Sequence, residues 1–358
     1  MKEVDAFIRQ VKSNCNISDA KFWGYYSICG LLMRYRDLYR SEHSLMPWEN
    51  IPDDEVAGWI QEREMLWRDL EDTELQSLVV DGKSYSPFDV NSINDLLEQT
   101  GLVYSGGYGT FNKPTFFVAK LGAARDFFDY RVYYAGIELC RDLAASPAML
   151  QGRCIYVRPE VLTAYIWDRF QEMKAKRFSG LAAEMFAHYG ILRSAESSPE
   201  LFKKISDMAS DALEVFVLHE TGEAYEDEYS DDWHEILSCG LDKASELYLR
   251  GIKDIRADTS LMGPLRAIVE NRNRPRLNFF LVFLDGIRRE VFSEIRDAFQ
   301  RFVESGDWSF IENARASGYR RSGALQSGAI DVWRRSRDGG ALAKYIRNAF
   351  QKPGQERC

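Results

Sequence analysis

Two histidines and a dense set of carboxylates occur together between residues 217 and 237. His219 and Glu223 are four residues apart, and His234 follows after an acidic connector. Side chains at positions i and i+4 of a helix lie on one face, close enough to bind the same ion. Imidazole nitrogens and carboxylate oxygens are common ligands of divalent metals, so this stretch is a candidate metal centre.

The predicted ligand set is His219, Glu223 and His234, which leaves positions on zinc, iron or manganese open for water and substrate. Glu220 is the predicted catalytic residue, a general base acting on a metal-bound water. The run HETGE resembles part of the H-E-x-x-H element of zinc hydrolases, but Glu223 replaces the second histidine, so that motif is absent. The pattern favours a metal-dependent, hydrolase-like enzyme.

His219 must be turned inward by the helix that carries it. Apolar residues in steps of four and three predict a helix from Pro199 to about Glu228, with a core-facing stripe of Leu201, Ile205, Met208, Ala212 and Val215. The next step of this stripe lands on His219. The sequence therefore predicts a buried His219 with Glu223 one turn further on the same face.

His234 is assigned to the next helix, predicted from Asp231 to Gly251. The apolar stripe of that helix is predicted to consist of Leu237, Leu241, Ala244 and Tyr248. Extrapolation back by three residues reaches His234, which is therefore expected to point inward. The short connector predicts an antiparallel hairpin, which would bring both histidines together with Glu223 or Glu226.

His188 lies near the end of an earlier predicted helix, Pro159 to about Tyr189, with Glu184 one turn before it. In a simple hairpin it would be roughly 27 Å from His219, given the rise of 1.5 Å per residue. We therefore expect His188 to lie in a local contact, away from the metal site.

A buried ion pair between histidine and carboxylate would explain the same spacing without a metal. On this alternative the chain is a non-catalytic helical protein that mediates protein–protein interaction or acts as a scaffold. Gly222 does not decide between the two, because a glycine inside a helix indicates close packing or a local break as readily as ligand approach.

Segment 105–114 (SGGYGTFNKP) is rich in glycine but does not match a phosphate-binding loop. Such a loop needs Lys-Ser or Lys-Thr at the start of a helix, whereas Lys113 is followed by Pro114 and a β-type run. A hairpin turn or a lid is predicted here. No nucleotide cofactor is expected.

The net charge of −9 argues against nucleic acid as a partner, because such binding depends on lysine and arginine contacts to phosphates. No run of 18 apolar residues occurs, so no membrane partner is expected. Six scattered cysteines without C-x-x-C spacing are typical of reduced thiols in the cytoplasm. Residues 301–358 hold 11 basic and 6 acidic residues, which favours internal pairing or a solvated face.

The predicted fold is mainly α: a multi-helix, bundle-like body with a small antiparallel β insert, α+β overall. The predicted parts are an N-terminal helical part (1–100), a β-rich insert (101–158) and a C-terminal helical part (159–358). An unknown small molecule or protein is the expected partner, and the sequence does not indicate the oligomeric state.

Overall fold

The computed structural model describes residues 2–175, 179–191, 196, 198–226, 230–284 and 286–350. The chain divides into two compact units. The first, called the N-terminal unit, comprises residues 1–177 and 191–213. The second, the C-terminal unit, comprises residues 178–190 and 214–358. The three-part division expected from the sequence stays a prediction.

In the N-terminal unit, helices precede and follow the five-stranded sheet along the chain. They are α1 (Lys2–Phe22), α2 (Ile28–His43), α3 (Asp53–Leu70), α4 (Val90–Leu97), α5 (Pro159–Ala175) and the first part of α7 (Pro199–Tyr225). Local capping fixes several of their starts. Ser27 accepts a hydrogen bond from the Gly30 amide at the start of α2, and Asp89 accepts one from the Ser92 amide at the start of α4.

Among the described residues, the strands form two sheets. A hairpin pairs β1 (Leu78–Val80) with β2 (Lys83–Tyr85). The five-stranded sheet has the order β3-β4-β5-β7-β6, with strands β3 (Leu102–Tyr108), β4 (Pro114–Phe127), β5 (Tyr130–Arg141), β6 (Ala148–Gln151) and β7 (Cys154–Val157). Strands β5 and β7 pair in parallel and the other neighbours are antiparallel. The chain is thus mainly α with an α+β composition, but its sheet is larger than predicted and mixed.

The glycine-rich segment 105–114 covers the end of β3, the turn at 109–113 and the first residue of β4, and the antiparallel pairing of β3 with β4 confirms the predicted hairpin turn. Lys113 is buried, and its Nζ lies 3.0 Å from carboxylate oxygens of both Asp19 and Asp142. Asp142 also accepts a hydrogen bond from the Phe116 amide at 2.6 Å. Lys113 therefore anchors the hairpin inside the N-terminal unit through ion pairs.

In the C-terminal unit, the described residues form helices joined by short turns, without strands. Its helices are α6 (Gly180–His188), the rest of α7, α8 (Ser230–Ser238), α9 (Lys243–Thr259), α10 (Pro264–Glu270), α11 (Arg274–Phe283), α12 (Gly286–Val291), α13 (Glu294–Ser305), α14 (Ser309–Ser336) and α15 (Gly339–Phe350). Helix α9 is central, since its buried residues Leu249, Ile252 and Ile255 belong to the core of this unit.

Two predicted long helices are in fact each divided. The helix expected from Pro159 to Tyr189 is observed as α5 and α6, and the one expected from Asp231 to Gly251 as α8 and α9. Gly240 has a φ of +75° between α8 and α9, and the Asp242 side chain caps α9 at the Ser245 amide. The helix predicted to end at about Glu228 is described as far as Tyr225, and residues 227–229 lie outside the described residues.

Arginines of the basic segment pair with acidic residues of the same unit. Arg315 pairs with Glu312, Arg321 with Glu294 and Arg334 with Asp232. These contacts fit the internal pairing expected for residues 301–350; residues 351–358 lie outside the described residues. In the described part of the chain, no helix has both the length and the apolar composition needed to cross a membrane.

Candidate metal centre

Close contact between α7 and α9 creates the candidate site. A Cβ placed on Gly222 would lie 2.5 Å from the Ala257 carbonyl oxygen, so only glycine permits this backbone approach. Of the explanations left open for Gly222, the structure shows close packing. The side chains of His219 and Glu223, on either side of Gly222 in α7, thereby come to face residues of α9.

His219 is held by a carboxylate of α9. Its Nδ1 lies 2.8 Å from Oδ1 of Asp258, which is fully buried. Its Nε2 lies 3.6 Å from Oε1 of Glu223. Asp258 therefore fixes the orientation of the ring, because it binds one nitrogen and leaves the other directed toward Glu223.

Asp254 completes the cluster, one turn before Asp258 on α9. One ligand atom each from His219, Glu223 and Asp254 lie within 4.8 Å of one another. Ligands of a tetrahedral ion with bonds near 2.1 Å are about 3.4 Å apart, so these atoms would have to approach one another by up to about 1.4 Å to bind one ion. One histidine and two carboxylates are ligands that suit zinc, iron or manganese.

Two cations also contact these carboxylates. Lys253 Nζ donates to Glu223 Oε2 at 2.7 Å, and Arg288 Nη2 donates to Asp258 Oδ2 at 2.5 Å. Arg288 Nε is also 3.8 Å from Asp254 Oδ2. The cluster is consequently a network of opposite charges in which each carboxylate has a basic neighbour.

The network raises the proton affinity of the imidazole. Burial by itself lowers the pKa of His219, but Asp258, Glu223 and Glu220 outweigh burial and raise the pKa to about 10. The carboxylates that favour the proton would also favour a metal cation. A metal that binds Nε2 must replace this proton.

Burial acts to raise the pKa of all three carboxyl groups, but their net pKa shifts differ. Burial raises the pKa of Asp254 above its ordinary value. Burial also acts to raise the pKa of Asp258, but Arg288 and His219 bring it below the ordinary value. Lys253 and His219 similarly hold the pKa of Glu223 below its ordinary value against the effect of burial.

Glu220 and Glu226 occupy different surroundings. Glu220 is buried, and its charge raises the pKa values of both His219 and Lys253. Glu226, expected near the histidines, instead pairs with Arg256 at 2.8 Å and accepts a hydrogen bond from the Tyr319 hydroxyl. Glu226 thus belongs to a neighbouring ion pair.

The prediction that His234 points inward is wrong. Trp233 and Ile236 are the buried residues of α8, and the His234 side chain is exposed. The predicted apolar stripe passes through Leu241, but Leu241 lies in the break between α8 and α9, so the stripe does not continue from one helix to the other. The structure thus brings His219 and Glu223 together and supplies Asp254, not His234, as the third group.

His188 makes the predicted local contact, with its ring edge-on to Tyr189 at a centroid distance of 5.0 Å. It is exposed, however, and not in the core. Glu184, expected as its neighbour, pairs with Arg274.

Sequence reasoning missed Asp254 and Asp258, although a signal for them was present. The two aspartates have the same i and i+4 spacing as His219 and Glu223 and lie beside the buried stripe of α9. Lys253 and Arg288 had no such signal. Their positions depend on how α9 packs against α7 and α12, which the pattern of one helix does not reveal.

Comparisons with known proteins match two consecutive ranges of the chain to one family. Residues 6–158 match the model described as "Family of unknown function (DUF6866) N-terminal domain". Residues 163–353 match its C-terminal domain, and this range includes the whole candidate metal centre. No curated protein and no solved structure matches the chain. The chain therefore belongs to DUF6866, a family of unknown function.

Proposed function

We propose that this protein is a metal-dependent, hydrolase-like enzyme that binds one divalent cation through His219, Glu223 and Asp254. The observation that carries the proposal is the orientation of His219. Asp258 holds Nδ1, so Nε2 is left directed toward Glu223, and one ligand atom each of His219, Glu223 and Asp254 lie within 4.8 Å of one another. A carboxylate behind a histidine ligand is the usual arrangement at protein metal sites.

Three protein ligands leave coordination positions open for water and substrate. A divalent cation there would polarise a substrate oxygen and acidify a bound water. Glu220 is the proposed general base: it is buried, and its charge acts on His219. Zinc, iron and manganese all suit this ligand set. A nucleotide cofactor is not part of the proposal.

The competing proposal is a non-catalytic helical protein for protein–protein interaction or scaffolding. The ion pairs of Lys253 with Glu223 and of Arg288 with Asp258 favour it, since they satisfy these carboxylates without a metal. On either proposal we place the chain in the cytoplasm, which its free described cysteines support, with a small molecule or a protein as partner.

Metal analysis of the protein purified without chelator tests the first proposal. We expect near-stoichiometric zinc, iron or manganese in the wild type and in His234→Ala, a matched control because His234 is exposed. His219→Ala should lose the metal. Glu220→Gln should keep metal and fold, because the amide is similar in size and Glu220 is not a proposed ligand, while hydrolytic activity is lost.

The competing proposal predicts another result. Wild type would bind none of these metals even after incubation with them, and its melting temperature would not depend on metal. His219→Ala would then only destabilise the fold by about 1–3 kcal/mol, because its carboxylate partners lose their hydrogen bond. Absence of metal binding together with a purely destabilising His219→Ala substitution would contradict the enzyme proposal.

A further inference from the structure

The groups of the metal centre differ in their exposure in a regular order. Asp258 is 1 % exposed and forms the floor. His219 and Glu223 are 18 % and 14 % exposed and lie above it. The most exposed members are Lys253 at 38 %, Arg288 at 32 % and Asp254 at 29 %. A solute that approaches the centre from water can therefore reach both cations directly.

Lys253 is held in place by the same carboxylate that faces the metal position. Oε2 of Glu223 accepts the Lys253 hydrogen bond, whereas Oε1 faces His219. A metal on Oε1 and Lys253 on Oε2 are therefore compatible. An ammonium has three N–H donors, so Lys253 can bind Glu223 and still donate to a ligand.

Arg288 is fixed in a similar way by another carboxylate of the cluster. Its Nη2 donates to Oδ2 of Asp258, while Oδ1 of the same carboxylate holds His219. Two positive groups are thus attached, through one carboxylate each, to the residues that form and support the metal position. Fixed cations beside a metal stabilise negative oxygens at low reorganisation cost.

From this arrangement we infer that the substrate of the proposed metal centre carries an oxyanion, a phosphate or carboxylate group, that binds Lys253 while one of its oxygens contacts the metal. The inference rests on the proposed function, because it needs the ion at His219, Glu223 and Asp254. Arg288 adds positive charge beside Asp254 and orders Asp258. Lys253 is in this view a substrate-binding residue rather than a metal ligand.

The test is calorimetric titration of inorganic phosphate, and separately of acetate, into Mn²⁺-loaded full-length protein. We expect one of the two anions to bind, and Lys253→Met to weaken its affinity at least about tenfold. Lys253→Arg should keep most of it. The matched control is Lys243→Met, an exposed lysine of the same helix about 15 Å away along its axis.

Affinity for Mn²⁺ separates a binding role from a structural one. Loss of Lys253 frees Glu223 from an ion pair, so Lys253→Met should bind Mn²⁺ at least as tightly as wild type. A merely structural lysine would instead lower both affinities. A preference for phosphate or for acetate identifies which oxyanion the site takes.

Two results would overturn the inference in distinguishable ways. If Mn²⁺ binds but neither anion does, or Lys253→Met binds the anion as well as wild type, the inference fails and the metal proposal stands. If Mn²⁺ itself does not bind, both fail together.

Discussion

At the scale of single residues, the carboxylates around His219 determine the charge of its imidazole. Asp258 contributes both its charge and a hydrogen bond to keep the imidazole protonated, and Glu223 adds to the effect. The same groups would supply negative charge to a metal that replaced the proton. Removal of the Asp258 charge should therefore alter the pKa of His219 directly.

We predict that Asp258→Asn lowers the pKa of His219 from about 10 toward its ordinary value near 6.5 in metal-free protein. The measurement is an NMR titration of the imidazole signals, which are simple to assign because the chain has four histidines. Asp331→Asn, at an exposed position of α14, is the control and should leave His219 unchanged. A wild-type His219 that titrates near 6.5 would refute this description of its surroundings.

The same shift predicts how stability depends on pH. Since the pKa of His219 is higher in the folded than in the unfolded protein, its contribution to the free energy of unfolding is complete below about pH 6.5. The contribution should fall as pH rises from there and be lost above about 10. Denaturant melts of metal-free protein across this range should show the fall in wild type and a smaller fall in Asp258→Asn.

At the scale of helices, the apolar pattern located the site residues of α7 but misplaced His234 of α8. The stripe of α7 indicated that His219 and Glu223 share one face, and both side chains face α9, although His219 is 18 % exposed and not fully buried as predicted. The prediction for His234 failed because Gly240 and Asp242 end one helix and start another. Both are recognised stop and start residues, so the sequence carried the information needed to avoid the error.

The sheet shows a limit of a different kind. Alternating and apolar runs located the strands between residues 101 and 158, but the parallel pairing of β5 with β7 depends on contacts distant in sequence. Periodicity along one strand does not specify its neighbour. The buried ion pairs of Lys113 were hidden for the same reason, because Asp19 and Asp142 are far from it in the chain.

We predict that Gly222→Ala separates α7 from α9 and disturbs the metal centre. The added methyl group would lie 2.5 Å from the Ala257 oxygen, so the free energy of unfolding should fall by about 1–3 kcal/mol. Metal affinity should fall as well, because His219 and Glu223 move relative to Asp254. Denaturant melts and metal titration measure the two effects.

Gly339→Ala is the matched control in the same unit. A Cβ at Gly339 would be 3.5 Å from Cys239 Sγ, an ordinary contact, so stability and metal affinity should be nearly unchanged. If Gly222→Ala behaves like this control, close packing of α7 on α9 is not what positions the centre.

At the scale of the whole molecule, each unit has a hydrophobic core of its own. We expect two transitions in calorimetric unfolding. Metal at 100 times its dissociation constant should stabilise the C-terminal unit alone, by about 2.7 kcal/mol. Core substitutions assign the transitions: Ile252→Ala marks the C-terminal unit and Val118→Ala the N-terminal unit. If metal instead raises the melting temperature of the transition assigned to the N-terminal unit, the ion does not bind at the proposed centre.

The most direct test of the metal centre is the anomalous scattering of a crystal grown with zinc. We predict a single strong peak within about 2.0–2.2 Å of His219 Nε2 and of one carboxylate oxygen each from Glu223 and Asp254, with Asp258 still bonded to Nδ1. The account would be contradicted if the site held no peak while Lys253 and Arg288 kept their ion pairs. Zinc bound at His234 without His219 would contradict it equally.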